Sequence, residues 1–265
     1  MDLLYRAGAC KAYEFCSWIP NWTGREPFRT ISTWRGAEGP FCAGGNPQAN
    51  VHLPTLKAEN LQISGFEIDT IIELCPATTN EQDIISVVNI IHASIEKFKW
   101  YPTGESLGDL KLKVPIGNAI APCSDDTETL NIEGTQPKEA DNDFDWKKEF
   151  HAINSVEEMV NFLQKSQDTR EKGWKYWITA VAFSKRLSNG RFCVTERGYL
   201  GFAPQTAELG DSICVFHGGI VPFVLRWIPT ADMAYRLVGE CYVHGIMYGE
   251  ALSFDGITER IFLLS

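Results

Sequence analysis

Apolar and polar residues alternate with period two along Leu61-Gln62-Ile63-Ser64-Gly65-Phe66-Glu67-Ile68-Asp69-Thr70-Ile71. That period predicts a half-buried strand, or a hairpin kinked at Gly65. The period then lengthens. Ile84, Val87, Val88, Ile91, Ile95 and Phe98 recur at spacings of three and four, the apolar stripe of an amphipathic helix, with a capping box at Thr79-x-x-Gln82 ahead of it. This helix is expected to end near Tyr101-Pro102 and to lie across the neighbouring sheet. A second capping box, Ser155-x-x-Glu158, opens a helix with Val156, Met159, Val160 and Leu163 inward. Trp174 to Leu187 reads as a third helix, stopped by the left-handed residues Asn189-Gly190.

From Arg191 onward the short period returns. Arg191–Thr195, Tyr199–Ala203, Ser212–Phe216, Ile220–Trp227, Tyr235–Gly239 and Cys241–Ile246 are runs of β-branched and aromatic residues separated by turn residues. Gly218-Gly219 reads as a two-residue hairpin turn, and Pro222, which has no N–H for a ladder, predicts a strand edge or a bulge. Between Ser17 and Gly45 the density of Trp, Pro and Gly predicts packed irregular structure. The fold class that follows is α+β. A small antiparallel sheet or partial barrel at the C-terminus packs with about three helices and an irregular N-terminal part, all in one integrated domain over 1–265.

Charge changes this picture in one place. Of a formal net charge of −10 over 265 residues, the stretch 122–145 supplies −7, because eight acids there face the single base Lys138. So few apolar residues cannot offset the entropy of ordering, so 122–145 is expected to be an acidic mobile loop. An acidic chain does not favour nucleic acid or an anionic membrane surface as a partner, since both require Lys and Arg to replace counterions. No apolar run approaches the roughly 20 residues of a spanning helix. Eight Cys without close repeats suit reduced thiols, Cys214 and Cys241 among them as small core residues, and a cytoplasmic location is expected. No zinc spacing, Gly-x-Gly-x-x-Gly loop or Gly-x-Ser-x-Gly elbow is present, so no metal or cofactor is expected.

The densest group of reactive side chains is Asp211, His217, Arg226, Glu240, Tyr242, His244 and Glu250. Glu240, Tyr242 and His244 are two apart, which would put a carboxylate, a phenol and an imidazole on one strand face as candidate proton-transfer residues. The plainer reading pairs Glu240 with Arg226 or Arg236 and leaves Tyr242 and His244 bonded to backbone at a sheet margin. Asp211, after Gly210, fits a turn residue that caps its own backbone. Trp18, Trp22, Arg226 and Trp227 are candidate ligand-binding residues, the tryptophans as walls of an apolar pocket. His92 is read as solvated, beside Asn89 and Glu96.

Asn189-Gly190-Arg191-Phe192, Thr195-Glu196-Arg197-Gly198-Tyr199-Leu200-Gly201, Gly210-Asp211, Pro222-Phe223-Val224-Leu225-Arg226 and Tyr235-Arg236-Leu237-Val238-Gly239-Glu240-Cys241-Tyr242-Val243-His244-Gly245 closely resemble the tail of fungal heterokaryon incompatibility (HET) domain proteins. Upstream, Ser17-Trp18-Ile19-Pro20-Asn21-Trp22, Phe41-Cys42-Ala43-Gly44-Gly45 and Gly65-Phe66-Glu67-Ile68-Asp69 resemble the segment that follows the HET domain in that family. The resemblance runs from about Ser17 to Ala251 and implies a fungal origin. It implies that the HET domain, the family's trigger of growth arrest or cell death, would precede Met1. Two expectations of different class follow. One is a regulatory or recognition module acting on an unknown protein partner, with the hairpin region around Phe216 to Arg226 as a contact surface and an exposed apolar patch near Phe216 to Trp227. The other is a recruited, cofactor-independent isomerase or cyclase of secondary metabolism, acting on an apolar small molecule.

Overall fold

The computed structural model describes residues 4, 16–18, 41–45, 51–52, 60–76, 84–115, 190–229 and 234–265. The acidic stretch 122–145, the helices predicted from Ser155 and Trp174, the Thr79-x-x-Gln82 box and Trp22 all lie outside these residues. The chain divides into two compact units, Met1–Pro76 with Gly190–Ser265, and Ala77–Asn189.

The first unit is built on strands β1 (Val51–His52), β2 (Leu61–Leu74), β3 (Gly190–Thr195), β4 (Leu200–Pro204), β5 (Ser212–Phe216), β6 (Phe223–Trp227), β7 (Tyr235–Glu240), β8 (Tyr242–Val243) and β9 (Glu259–Leu264). They form one sheet in the order β5-β6-β7-β9-β2-β3-β4-β8, with β1 beside β2. An added pairing of β5 with β2 closes β2, β5, β6, β7 and β9 into a ring. All pairings are antiparallel except that of β7 with β9, a single parallel pair between Tyr235 and Leu264.

The period-two segment is the axis of this architecture. It is one unbroken strand, longer than predicted and not a hairpin, and it changes partners along its length. Leu61 to Phe66 pair with β9, Gly65 to Thr70 with β5, and Ile71 to Leu74 with β3. Irregularities between Glu67 and Asp69 and between Ile71 and Glu73 bend it from the ring into the outer strands. Gly65 does not kink the strand. A Cβ there would lie 2.4 Å from the Val215 carbonyl oxygen, so glycine is what lets β5 approach.

Residues paired across strands share a face. Ile63 is therefore on the same side as Phe262, and Gly65 on the side of Phe216. Phe216 meets Phe223 at 5.2 Å and Phe262 at 5.6 Å between ring centroids, and Ile63, Phe216, Phe223 and Phe262 are all fully buried. These four rings and branches fill the inside of the β ring. At about 25 cal/mol per Å² of apolar surface, burying each stabilises the fold by roughly 2–3 kcal/mol before entropy.

Residues 41–45 close the end beside the β5–β6 connection. The Ala43 and Gly44 N–H groups donate to the carbonyls of Ile220 and Gly219, and Cys42 N–H donates to Met247. Phe216 to Gly219 is a β-turn, with Gly219 N–H donating to Phe216 C=O and Gly218 at φ 68°. Because β5 ends at Phe216 and β6 begins at Phe223, the connection is longer than the predicted two-residue hairpin. Pro222 stands just before β6 and uses only its carbonyl, which accepts from Cys241 N–H.

The second unit contributes α1 (Ile84–Glu96) and α2 (Leu107–Lys113). Val87, Ile91 and Ile95 are buried, as their spacing predicts. The helix stops at Glu96, short of Tyr101, which is itself fully buried. α2 was not predicted, although its signal is present: Ser106 Oγ accepts Asp109 N–H at 3.1 Å, and Lys111 and Lys113 lie in the last turn. His92 is buried, not solvated as expected. Its Nε2 lies 3.2 Å from the Lys111 carbonyl oxygen, and burial lowers its pKa from the ordinary 6.5. The β-rich C-terminal part is thus present, but the described residues hold two α-helices and one 3-10 turn (Glu250–Ser253), so about three helices are not confirmed.

Candidate functional site

The predicted constellation separates into two groups, and a third forms from residues outside it. Tyr242 and His244 do come together, with the phenol oxygen 2.7 Å from His244 Nδ1. β8 pairs with β4, and the His244 N–H donates to Leu200 C=O, so both side chains belong to the β4 side of the sheet. Phe41 covers the phenol at 6.2 Å, and Tyr242 and His244 are both buried. Glu240 ends β7, half-buried, and pairs with Phe223 of β6. The chain leaves one ladder for the other at Cys241, which the period-two reading could not see. A phenol and an imidazole in hydrogen-bond contact are competent for proton exchange, but this pair is enclosed by the sheet.

Arg226 is occupied elsewhere. Its Nε and one Nη donate to both carboxylate oxygens of Asp211 at 2.8 and 2.9 Å. Its guanidinium also donates to Glu208 Oε1 at 2.7 Å and to the Thr206 carbonyl at 2.8 Å. Arg226 stands across from Arg236 on β7, an unfavourable like-charge register that the two carboxylates offset. Asp211 caps backbone as predicted, accepting Glu208 N–H at 2.8 Å, and it also anchors the arginine. Arg226 therefore clamps the β4–β5 loop onto β6, with Asp211 Oδ2 fixed on both sides. Glu250 is likewise local, accepting Tyr248 N–H.

The third group was not foreseen. Glu67 of β2, Arg260 of β9, Ser212 of β5 and Tyr235 of β7 meet at one mouth of the β ring. Arg260 pairs with Glu67 and donates to Tyr235 Oη at 2.9 Å, while Ser212 Oγ donates to Glu67 Oε1 at 2.6 Å. The guanidinium lies over the Phe262 ring at 4.7 Å and the Tyr235 ring at 5.5 Å, a cation–π arrangement, and burial lowers its pKa below the usual guanidinium range. Trp227, 43% exposed, stands edge-on to Tyr235 at 5.1 Å and forms the rim. No motif joins residues this far apart in sequence; only the closing of the ring does. Trp18 is half-buried.

Other expectations resolve individually. The segment Phe216 to Arg226 is core, not an exposed contact surface: Phe216, Val221, Phe223, Val224 and Leu225 are fully buried, because one strand face fills the ring and residues 41–45 cover the turn. Trp227 is the large apolar residue there that reaches solvent. His217 lies 2.9 Å from Glu259 and edge-on to Phe66 at 5.1 Å. Cys193, Cys214 and Cys241 are buried, and burial pushes Cys193 up to about 12 and the other two well above the usual thiol range, so they are unreactive core groups. Among the described residues no helix is long and apolar enough to cross a membrane.

The chain is similar to "Heterokaryon incompatibility protein 6, OR allele" of Neurospora crassa, 27% identical over 263 residues, which is 88% of this chain and 37% of that protein. The chain thus spans little more than a third of that relative. No solved structure matches it. These likenesses lend no support to an isomerase or cyclase. The model of the "Het-6 beta-barrel domain" matches residues 130–263, half of the chain and the part that carries β3 to β8 and nearly all of β9. The ring that these strands close with β2 is the barrel that this description names, and the chain belongs to the Het-6 beta-barrel domain family.

Proposed function

We propose that the chain is a regulatory or recognition module of heterokaryon-incompatibility type, working in the cytoplasm of a fungal cell, and that it meets a protein partner at the barrel mouth. The observation that carries this reading is the likeness along 88% of the chain to a limited part of a protein with that name. The side-chain economy supports it. Arg226 is consumed by Asp211, Glu208 and Thr206, and Tyr242 faces His244 in the interior, so these groups hold a shape. The mouth combines a half-exposed Trp, a Tyr and an Arg, the residue types that dominate binding hot spots.

The test replaces the matching segment of the Neurospora relative with this chain and scores the growth of mixed mycelium. The substituted protein is expected to retain an incompatibility reaction, and Trp227→Ala or Arg260→Ala in the graft is expected to abolish it while leaving protein abundance unchanged. If deleting the whole segment from the relative leaves its reaction intact, the module reading is refuted.

A further inference from the structure

The guanidinium of Arg260 is only partly used. Its Nη2 carries both of its hydrogen bonds, to Glu67 and to Tyr235 Oη, and Nε and Nη1 have no acceptor among the described residues. Arg226 shows the contrast. All three of its guanidinium nitrogens are bonded, Nε and Nη2 to Asp211 and Nη1 to Glu208. An arginine has only donors to offer, so Arg260 holds N–H groups in reserve for an acceptor that its own barrel does not supply.

The strands aim those groups outward. Gly65 stands opposite Arg260 in the ladder of β2 and β9 and has no side chain, so the arginine lies back across the Phe262 ring. A guanidinium stacked by its face keeps its edge for hydrogen bonding, and the side chain is 40% exposed. Tyr235 Oη accepts from Arg260, which leaves its own hydrogen to donate, and burial holds that phenol above its ordinary range, so it stays protonated. Trp227 is paired with Tyr235 across β6 and β7, which sets an exposed indole beside these donors. Arg226 and Arg236, one step along the same two strands, stand on the opposite face of the sheet.

We infer, building on the reading of the mouth as the partner-binding site, that the partner presents an Asp or Glu side chain next to an apolar one. The carboxylate takes the remaining N–H groups of Arg260 and the hydroxyl of Tyr235, and the apolar neighbour covers Trp227. Charge selects this class of anion. Glu67 already faces Arg260, so the mouth has no net positive charge, and one more carboxylate completes the arrangement that Arg226 displays, a single guanidinium between two carboxylates. A phosphate, with a charge of about −1.5 to −2, would meet Glu67 with only that one cation between them. A partner without an acceptor would cover the Arg260 donors and leave them unsatisfied, which costs free energy.

The experiment titrates two capped tripeptides, leucyl-glutamyl-leucine and leucyl-glutaminyl-leucine, into the full chain. The indole N–H resonance of Trp227, identified by its loss in Trp227→Phe, reports binding. The glutamyl peptide is expected to bind in the millimolar range and the glutaminyl peptide about tenfold more weakly, the lower end for a hydrogen bond to a charged group. Tyr235→Phe keeps the ring that Arg260 and Trp227 touch and is expected to reduce this preference to about threefold. Arg260→Gln is expected to abolish the preference and leave the weaker affinity common to both peptides. Equal binding of the two peptides by the native chain overturns the inference, as does binding of neither, or a preference that survives Arg260→Gln. Tighter binding of leucyl-phosphoseryl-leucine than of the glutamyl peptide overturns it in favour of a phosphorylated partner. The mixed-mycelium reaction separates this result from the wider reading: if Trp227→Ala abolishes that reaction while the two peptides bind alike, the mouth stands as the contact and the carboxylate falls.

Discussion

Replacing Arg226 with alanine tests whether the β4–β5 loop is held by one side chain. The substitution deletes four hydrogen bonds and leaves the Asp211 carboxylate, 2% exposed, with the Glu208 N–H still donating to it. Removing one member of a buried ion pair costs about 3–5 kcal/mol, because the charge left behind has lost its solvent and its counterion. Two features lower that figure here. Arg226 is 26% exposed, so water reaches part of the vacated space, and Arg236 no longer opposes a like charge. A loss of about 2–3 kcal/mol follows, equivalent to a fall of about 8 °C in the Tm of the barrel unit. Hydrogen exchange reads the effect locally: the Ile71 and Gly210 amides, bonded to Asp211 and Ile71 carbonyls, are expected to exchange roughly 30-fold faster, as about 2 kcal/mol implies. Adding Asp211→Asn to Arg226→Ala is expected to recover part of the loss by neutralising the stranded carboxylate. If the two substitutions instead add their costs, Asp211 and Arg226 are not coupled and the clamp does not exist.

Three further outcomes follow from other sites. Gly44→Ala would put a Cβ 2.0 Å from the Phe216 carbonyl oxygen and 2.6 Å from Gly219 N, against backbone that cannot swing aside; a cost of about 3 kcal/mol and faster exchange of the Ala43 and Gly44 amides are expected. The carboxyl of Asp69 is raised above 3.8, chiefly by burial, so its folded form holds a proton that the unfolded chain has released. Stability should therefore decline as pH rises from about 3.8 through the folded value, and urea titrations should show this slope flattened in Asp69→Asn, with an unchanged slope as the contrary result. His92 is lowered below 6.5 by burial; the stability it supports is complete above 6.5 and lost as pH falls from there through the folded value, so α1 amides should be less protected, relative to their intrinsic exchange rates, at pH 5 than at pH 7, and less so in His92→Gln.

The sequence shows β2, β3 and β5 to β7 directly, because each alternates or forms a bounded β-branched run. β9 is harder to see. Glu259-Arg260-Ile261-Phe262-Leu263-Leu264 opens with two charges and ends with three apolar residues in succession, so no period marks it. The mouth shares that fate: Glu67 and Arg260 are ordinary surface charges until the ladder from Leu61 to Phe66 sets them side by side. Proximity in sequence misled in the other direction at Glu240, which is two residues from Tyr242 but on a different ladder. Tyr242 and His244 were legible because both belong to one short stretch of chain. His92 is buried against α2, whose Lys111 carbonyl lies within hydrogen-bond distance of it, a neighbour that the spacing along its own helix does not reveal.

The division of β2 among its partners sets a timetable for making the protein. It spans Leu61–Leu74, yet apart from the two residues of β1 the strands that pair with it begin at residue 190 or later, and one of them at 259. While the ribosome is adding the residues between, β2 emerges with Ile63, Ile68 and Ile71 and only the short β1 to pair with. Distant pairing of this kind carries a loop-closure cost before any contact repays it, and it folds slowly. The helical unit, whose residues are contiguous, can form while β2 waits. Until β9 is synthesised β2 keeps an open edge from Leu61 to Phe66, and a stop codon before residue 259 would release a chain in which that edge stays open.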